Sequence, residues 1–470
     1  MRRMSERLSK VLSVALLVAV ALLIWRIFFP ALMSADSFAQ FRQAWDGAYT
    51  DWHPPLMAIV LHLLFRLGHG IGAITCVQCV AGMLGLRALV LAWLAAFFGP
   101  GVPPRRAEGI AVAVALFLVL PLSPLPFYLV TFWKDSWATV LLLWTCAVAL
   151  RLLAASSASA AAEAEWRTGL RVVALILLSA LLGMVRHNAI VVLPVAGLVL
   201  ATALWRRSRT LAVALAVAPL LVCVVGDRAI QEVYRVRPVH LERLLMAFDL
   251  AGVCALDEKA CAELPYTRSH LGLRDDRDIR ELRERYVPGD VGRFFVRGLP
   301  VLDGAEARPD PLRVEYLGAL RRFPGLLARV KVEAFAPLID PRGSRLLIYP
   351  QLDGNEFGLR LSPRFATVRA ALTRATLWAG EKNALLRPLS GVHLVWLVAN
   401  VLWIVILPAF PRRRTLALVL LMPLAFYLSY LLAAPEPDYR FMYPSTLALQ
   451  GVTFSWLLGV ACSRFSRNHS

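Results

Sequence analysis

The chain has 470 residues, 58% of them hydrophobic, and a mean hydropathy of +0.61, which excludes an ordinary water-soluble domain. Its formal net charge of +19 comes without zinc-ligand spacing or an RNA-binding motif. In so apolar a chain the arginines read as cytoplasmic loops and lipid-phosphate contacts, with no nucleic-acid partner.

Apolar runs long enough for the roughly 30 Å hydrocarbon core of a bilayer recur along the whole chain. They predict helical spans near 10–29, 71–98, 109–130, 136–153, 169–185, 189–205, 210–226, 390–409, 415–433 and 444–462. The first, Lys10 to Phe29, is longer than a signal-peptide core and lacks a small-residue cleavage site, so it is kept as a helix. The expected fold class is an all-α polytopic membrane protein with about ten transmembrane helices.

After the first span comes ADSFAQFRQAWDGAYTDWHPPL, Ala35 to Leu56. It gathers Asp36, Asp51 and His53 into one loop, 30–55, around a short amphipathic helical stretch. Phe38, Phe41, Ala44 and Trp45 share one face there, with Gln40, Arg42 and Gln43 away from it. Two spans between Pro54 and Phe98 would put Arg105 and Arg106 outside. One span, about 71–98, keeps every basic cluster inside: Arg2 to Lys10, Arg105/Arg106, Arg167/Arg171, Arg206 to Arg209, Arg412 to Arg414 and Arg464/Arg467. The piece 56–67 then becomes an interfacial helix on the outer leaflet. Both termini are cytoplasmic in this reading, and the short exterior loops are 30–55, 131–135, 186–188 and 434–443.

Ala154 to Ala164 reads as a cytoplasmic Ala/Ser linker. Residues 227–388 form the one long exterior segment, rich in Arg, Asp and Glu. Turn signals at Pro288-Gly289, Asp303-Gly304 and Asp353-Gly354, and a helical stretch from Asp275 to Tyr286, suggest a small extracytoplasmic domain of mixed secondary structure. Its Cys254 and Cys261 are candidates for a disulfide. Cys76, Cys79, Cys146, Cys223 and Cys462 lie in apolar spans as small core residues. The organisation expected is a transmembrane module 1–226, an extracytoplasmic domain 227–388 and C-terminal transmembrane helices 389–470.

The exterior loops carry few cations, and each holds its polar groups at a helix end. The first offers Asp36, Asp51 and His53; the second, TFWKDSW, offers Lys134 and Asp135. RHNA offers Arg186, His187 and Asn188, and PEPDYRFMYP offers Asp438, Tyr439, Arg440 and Tyr443. A carboxylate in a partly dry pocket can take a proton from a hydroxyl nucleophile. Arg and Lys beside it can hold a phosphate, Arg as a planar fork and Lys as a point charge. Plainer readings stand beside these. Asp135 suits a helix N-terminus, Arg186 could snorkel, and Trp45, Trp52, Trp133 and Tyr443 could form an aromatic belt. His53 could be a structural hydrogen-bonder, and His62, His69, His393 and Asn400 read as packing or interhelical contacts. Arg87 is the one clearly buried charge in a span.

A first exterior loop with Asp36, then Gly47-Ala48-Tyr49, then Asp51-Trp52-His53-Pro54-Pro55-Leu56 resembles the GT-C superfamily of integral membrane glycosyltransferases. Within it the chain is similar to the polyprenyl-phosphate-mannose-protein mannosyltransferase and aminoarabinose transferase branch (glycosyltransferase family 39-like). The resemblance covers Arg2 to about Gly226, and beyond that rests on PEPDYRFMYP. It implies Asp36 as general base; because Ser37 stands where the family often has a second acid, the work falls either to Asp36 alone or to Asp36 with Asp51. It implies Asp135 as the second-loop acid, and a sugar on a polyprenyl phosphate as the donor.

The expected activity is transfer of that sugar, with inversion, to an extracytoplasmic acceptor hydroxyl on a glycan, lipid or protein. Arg186, Arg440 and Lys134 would bind the donor phosphate, while His53 and Tyr439 would support the loops or ligate a metal. No cofactor is required; Asp36, Asp51 and His53 are the candidates should a divalent cation bind. The Ala/Arg/Leu-heavy composition suggests a bacterial inner-membrane enzyme facing the periplasm. The alternative is a transporter or lipid flippase for cell-envelope glycan precursors, which would place charges near the bilayer midplane.

Overall fold

The computed structural model describes residues 2–120, 123–157, 165–291, 310–342, 346–349, 352, 354–410, 413–434 and 436–467. Among these the protein is helical without a strand; pairing outside helices is limited to two isolated bridges, Leu32 with Thr131 and Thr50 with Arg237. Among the described residues seven helical stretches, with His187–Leu204 and Arg209–Val233 each taken as one, are long and apolar enough to cross a membrane, which makes the chain compatible with an integral membrane protein.

The chain opens with α1 (Arg2–Ile27), α2 (Ala35–Asp46), α3 (Leu56–Arg66) and α4 (Ile71–Phe98). At 11 residues, α3 is about 16 Å long and cannot bridge the hydrocarbon core. α4 is one unbroken helix of 28 residues. It packs on α1 and, most closely, on α7 (Lys134–Ser157).

The apolar run 109–130 is not one helix. α5 (Pro104–Val119) stops, and α6 (Leu125–Val130) restarts behind Pro124 with Pro126 in its first turn; prolines lack the N–H that would continue the ladder. α8 (Glu165–Val185) and α9 (Val192–Leu204) follow, then α10 (Arg209–Ala216) and α11 (Ala218–Val233), which part at Val217 before Pro219. α11 runs seven residues past the expected boundary at 226, because Asp227 to Val233 continue its helical turns.

Segment 227–388 was expected to be an extracytoplasmic domain of mixed secondary structure, but its described residues form helices and connecting coil without a strand. It contains α12 (Leu241–Leu256), α13 (Glu258–Ala262), α14 (Pro265–Leu271), α15 (Asp276–Arg285), α16 (Pro311–Arg322) and α17 (Pro324–Phe335). These surround an apolar core of their own, including Phe248, Leu250, Leu282, Leu312 and Val330. Cys254 and Cys261 are bridged, tying α12 to α13. The turn signals Asp303-Gly304 and Asp353, and most of the 154–164 linker, lie outside the described residues; Ala154 to Ser157 continue α7. The helical reading follows from capping: Asp275 and Asp310 each accept backbone N–H groups at a helix start.

The chain finishes with α18 (Ala366–Leu377), α19 (His393–Ile406), α20 (Leu416–Leu432) and α21 (Tyr443–Arg467). α21 packs on α4, α5 and α7. Arg87 is not a lone charge: its guanidinium meets Glu108 of α5 through Nε (2.9 Å) and donates to Ser13 of α1 (3.0 Å), so the pair pins three helices together.

The two ends of α4 differ. Near its start, Thr75 Oγ1 donates to the Pro30 carbonyl (2.7 Å) and Gln78 Nε2 to that of Leu129 (2.7 Å). At its far end the Phe97 carbonyl accepts from Arg413 Nε (2.9 Å). The first two loops bearing candidate residues therefore lie at the end of α4 opposite Arg413.

Candidate active site

Loop one is held against loop two by backbone. Leu32 N–H donates to Val130 O and Phe132 N–H to Leu32 O, both at 3.0 Å. Ser34 then starts α2; its hydroxyl accepts from Trp133 Nε1 (2.7 Å) and its N–H donates to Ser37 Oγ (3.1 Å). This fixes Asp36 in the first turn of α2, where a carboxylate is favoured by the helix dipole. Gly47 closes the helix in the left-handed region, φ +66°, which a residue with a Cβ rarely adopts. The outer face of α2 is covered by aromatic contacts of Phe38, Phe41 and Trp45 with Phe357. Gln40, expected on the polar face, is buried instead, because α2 is covered on more than one side.

The second half of loop one is tied to the linker ahead of α12. Arg237 N–H donates to Tyr49 O (3.0 Å), Asp51 N–H to Arg237 O (3.2 Å), and Val239 N–H to Asp51 Oδ1 (2.5 Å). Asp51 thus has one oxygen committed to backbone, which suits a structural post better than a free base. The same ties bring the first turns of α12 over the loops.

The result is a cavity of about 630 Å³ shared by all four short loops. Asp36, Asp51, His53, Lys134, Arg186, His187, Asn188, Glu436 and Arg440 line its polar side, and Leu241, Leu244, Leu245, Val291, Ala433 and Phe441 its apolar side. Arg440 Nη2 donates to Asp36 Oδ2 (2.8 Å), and its Nε lies 2.8 Å from Asp438 Oδ2. The guanidinium stacks over Trp133, 4.8 Å to the ring centroid, a cation–π contact that holds the fork flat. Lys134 Nζ is 2.8 Å from His53 Nδ1, and His53 Nε2 is 3.9 Å from Asp36 Oδ1. Arg186 pairs with Asp135 and donates to Tyr430 OH (2.9 Å) and Asn188 Oδ1 (3.0 Å).

Burial pushes the Asp36 carboxyl up, but its neighbours, Arg440 foremost, outweigh that and hold it below the ordinary carboxylate value. Burial, reinforced by Lys134, pushes His53 down to about 3, so its ring is neutral near pH 7. Burial lifts Asp438 to about 7 against the pull of Arg440.

Two candidates do not face the cavity. Asp135, expected to be catalytic, is 3% exposed and absent from the cavity wall, where it neutralises Arg186 from behind. Tyr439 is wholly buried and stacks on His393 at 3.9 Å, while His393 Nε2 lies 2.8 Å from the Tyr439 carbonyl. It supports the Arg440 turn from beneath and is out of reach of a metal. His53 offers no ligand at Nδ1, where a lysine sits, and among the described residues no group of three His, Cys, Asp or Glu could hold a metal ion.

Asp438 was named in the sequence, but not as the second partner of Arg440; Tyr430 on Arg186 and the leucines of α12 went unnoticed. Only Asp438 had a signal, an acid two residues before the arginine whose N–H it caps (3.0 Å).

No family model matches the chain, and no curated protein or solved structure matches it. What the fold and site define is a class: a helical protein with membrane-length spans and, at one end of its bundle, a cavity with a charged wall and an apolar wall.

Proposed function

We propose that this chain is an integral membrane glycosyltransferase that moves a sugar from a polyprenyl-phosphate donor to an acceptor hydroxyl at the outer face, with inversion. The observation that carries this reading is the shared cavity. Segments from residues 36 to 441 meet there, with the three cations Lys134, Arg186 and Arg440 beside Asp36, the other carboxylates Asp51, Glu242 and Glu436 around them, and an apolar wall rich in leucines. That combination suits an amphiphile with an anionic head. In this reading the seven long helical stretches are joined by the shorter α5–α6 stretch, α19 and α20 to make ten crossings, and the helices within 241–285 and 311–335 cap the site on the periplasmic side of a bacterial inner membrane.

The acceptor oxygen attacks the anomeric carbon while the bond from that carbon to the phosphate oxygen breaks, and the electron pair leaves with the phosphate. Asp36 takes the acceptor's proton. Arg440, with Lys134 and Arg186, meets the charge growing on the leaving phosphate. Since Arg440 already pairs with Asp36, the donor phosphate competes for that guanidinium. Drawing it away frees the carboxylate to act as a base once the donor is in place.

The test is transfer by purified protein in nanodiscs, supplied with radiolabelled polyprenyl-phosphate sugars and a lipid and glycan extract as acceptor. Wild type should label an acceptor. Asp36→Asn should lose about 100-fold to 10⁴-fold in kcat while still binding the donor. Movement of the donor across the bilayer without labelling would favour a flippase and overturn this proposal.

A further inference from the structure

We propose that His53 is a positioning residue for Asp36: Lys134 fixes its ring as the Nε2–H tautomer and aims that N–H at the Asp36 carboxylate. The proposal rests on Asp36 being the base of the transferase reading, and it carries that reading to a second residue.

The argument starts from donors and acceptors. A lysine ammonium has three N–H donors and no lone pair. At 2.8 Å from His53 Nδ1 it can only donate, so Nδ1 must be the ring's acceptor and the single ring proton sits on Nε2. A neutral imidazole is thereby locked in one tautomer by the hydrogen bond its far nitrogen accepts. The ring has no freedom to turn. It is 4% exposed and followed by Pro54 and Pro55, which fix the backbone behind it.

Nε2 points at Asp36 Oδ1 across 3.9 Å, too far for a hydrogen bond in the empty site. The other oxygen, Oδ2, is held by Arg440 at 2.8 Å. When the donor phosphate draws Arg440 off, the carboxylate is released toward the remaining donor, and catalytic hydrogen bonds commonly tighten on this scale once substrate binds. The exchange matters because the two partners differ in charge. Arg440 suppresses the basicity of Asp36, whereas a neutral N–H orients the carboxylate and leaves more of its basicity intact. The charged groups facing His53 are Lys134, Asp36, Arg440 and Arg186; none offers a second acceptor for Nε2 beyond Asp36.

Glutamine separates positioning from acid–base work, since its amide can accept from Lys134 and donate to Asp36 but cannot titrate. His53→Leu is expected to lower kcat about 10-fold to 100-fold, the worth of a hydrogen bond to a charged group, with little change in donor KM. It should also move the acid limb of the rate profile to higher pH, because Asp36 loses a donor to its charged form. His53→Gln should restore kcat to within about threefold of wild type and leave that limb in place.

In parallel, nitrogen NMR of histidine-labelled full-length protein in nanodiscs reads the tautomer without any turnover. The resonances lost in His53→Gln should be those of an Nε2–H ring, and Lys134→Met should shift the unprotonated Nδ1. Equal losses in the Leu and Gln variants, an unimpaired Leu variant, or an Nδ1–H ring would each overturn the proposal. A wild-type protein that transfers no sugar while its His53 signals respond as described sinks the transferase reading and leaves the tautomer assignment standing.

Discussion

Arg440→Lys isolates the group on which the charge balance of the site turns. One planar guanidinium serves Asp36 through Nη2 and Asp438 through Nε, both at 2.8 Å, and lines the cavity where the donor phosphate would lie. Lysine keeps the charge but not the fork. One carboxylate or the phosphate then loses a charge-assisted hydrogen bond, worth about 1.5–3 kcal/mol. At about 1.4 kcal/mol per decade, donor KM should rise roughly 10-fold to 100-fold. Arg440→Gln removes the charge as well. Two unit charges about 4 Å apart at an effective dielectric of about 20 interact by about 4 kcal/mol, which sets a ceiling near 1000-fold. The assay is initial-rate kinetics over donor concentration, with equilibrium binding of a labelled polyprenyl phosphate and thermal unfolding as the control for folding. Donor affinity equal to wild type in both folded variants would refute the reasoning.

Further expectations concern pH, packing and the cap. With Asp438 at about 7, lowering the pH from 8 to 6 protonates it and removes a negative charge beside the phosphate site, where Arg440, Asp135 and Glu436 also act on it. Donor affinity should therefore tighten as pH falls, by about tenfold at most per pH unit, and Asp438→Asn should flatten that dependence; binding isotherms at several pH values decide it. A Cβ on Gly197 of α9 would lie 2.0 Å from the Ala216 carbonyl of α10, so Gly197→Ala should cost about 1–3 kcal/mol and lower Tm, with an unchanged Tm counting against the close approach. Lys331 of the cap donates to the Leu432 carbonyl and pairs with Asp249, both at 2.6 Å. Lys331→Met removes the cation beside the buried Asp249, leaving it the Tyr316 hydroxyl at 3.0 Å, and should expose these helices to limited proteolysis before the bundle is cut.

Seven of the ten expected spans were legible as long apolar helices, because hydropathy over twenty residues is a one-dimensional signal. Breaks were less so: the prolines that end α5 and part α10 from α11 sit inside apolar runs, where hydropathy averages them away. Loop convergence was legible only through parity, since once the basic clusters share a side, residues 36, 134, 186 and 440 must share the other. Partnerships could not be read. That Asp135 backs Arg186, that Asp51 holds Val239, and that Lys134 meets His53 all depend on side chains far apart in sequence. Within 241–285 and 311–335 the helix Asp276–Arg285 was legible, its face marked by Ile279 and Leu282, whereas the other helices went unread because charges and turn residues break up their apolar faces.

The most direct test of the central claim is photo-crosslinking of a diazirine-bearing polyprenyl phosphate to the full-length protein in nanodiscs, followed by peptide mapping. The account predicts labelled peptides from 30–55, 131–135, 186–188 and 434–443 together, all lost on competition with unlabelled polyprenyl phosphate. Labelling confined to the Arg413 end of the bundle, or competed label on only one of the four segments, would contradict it.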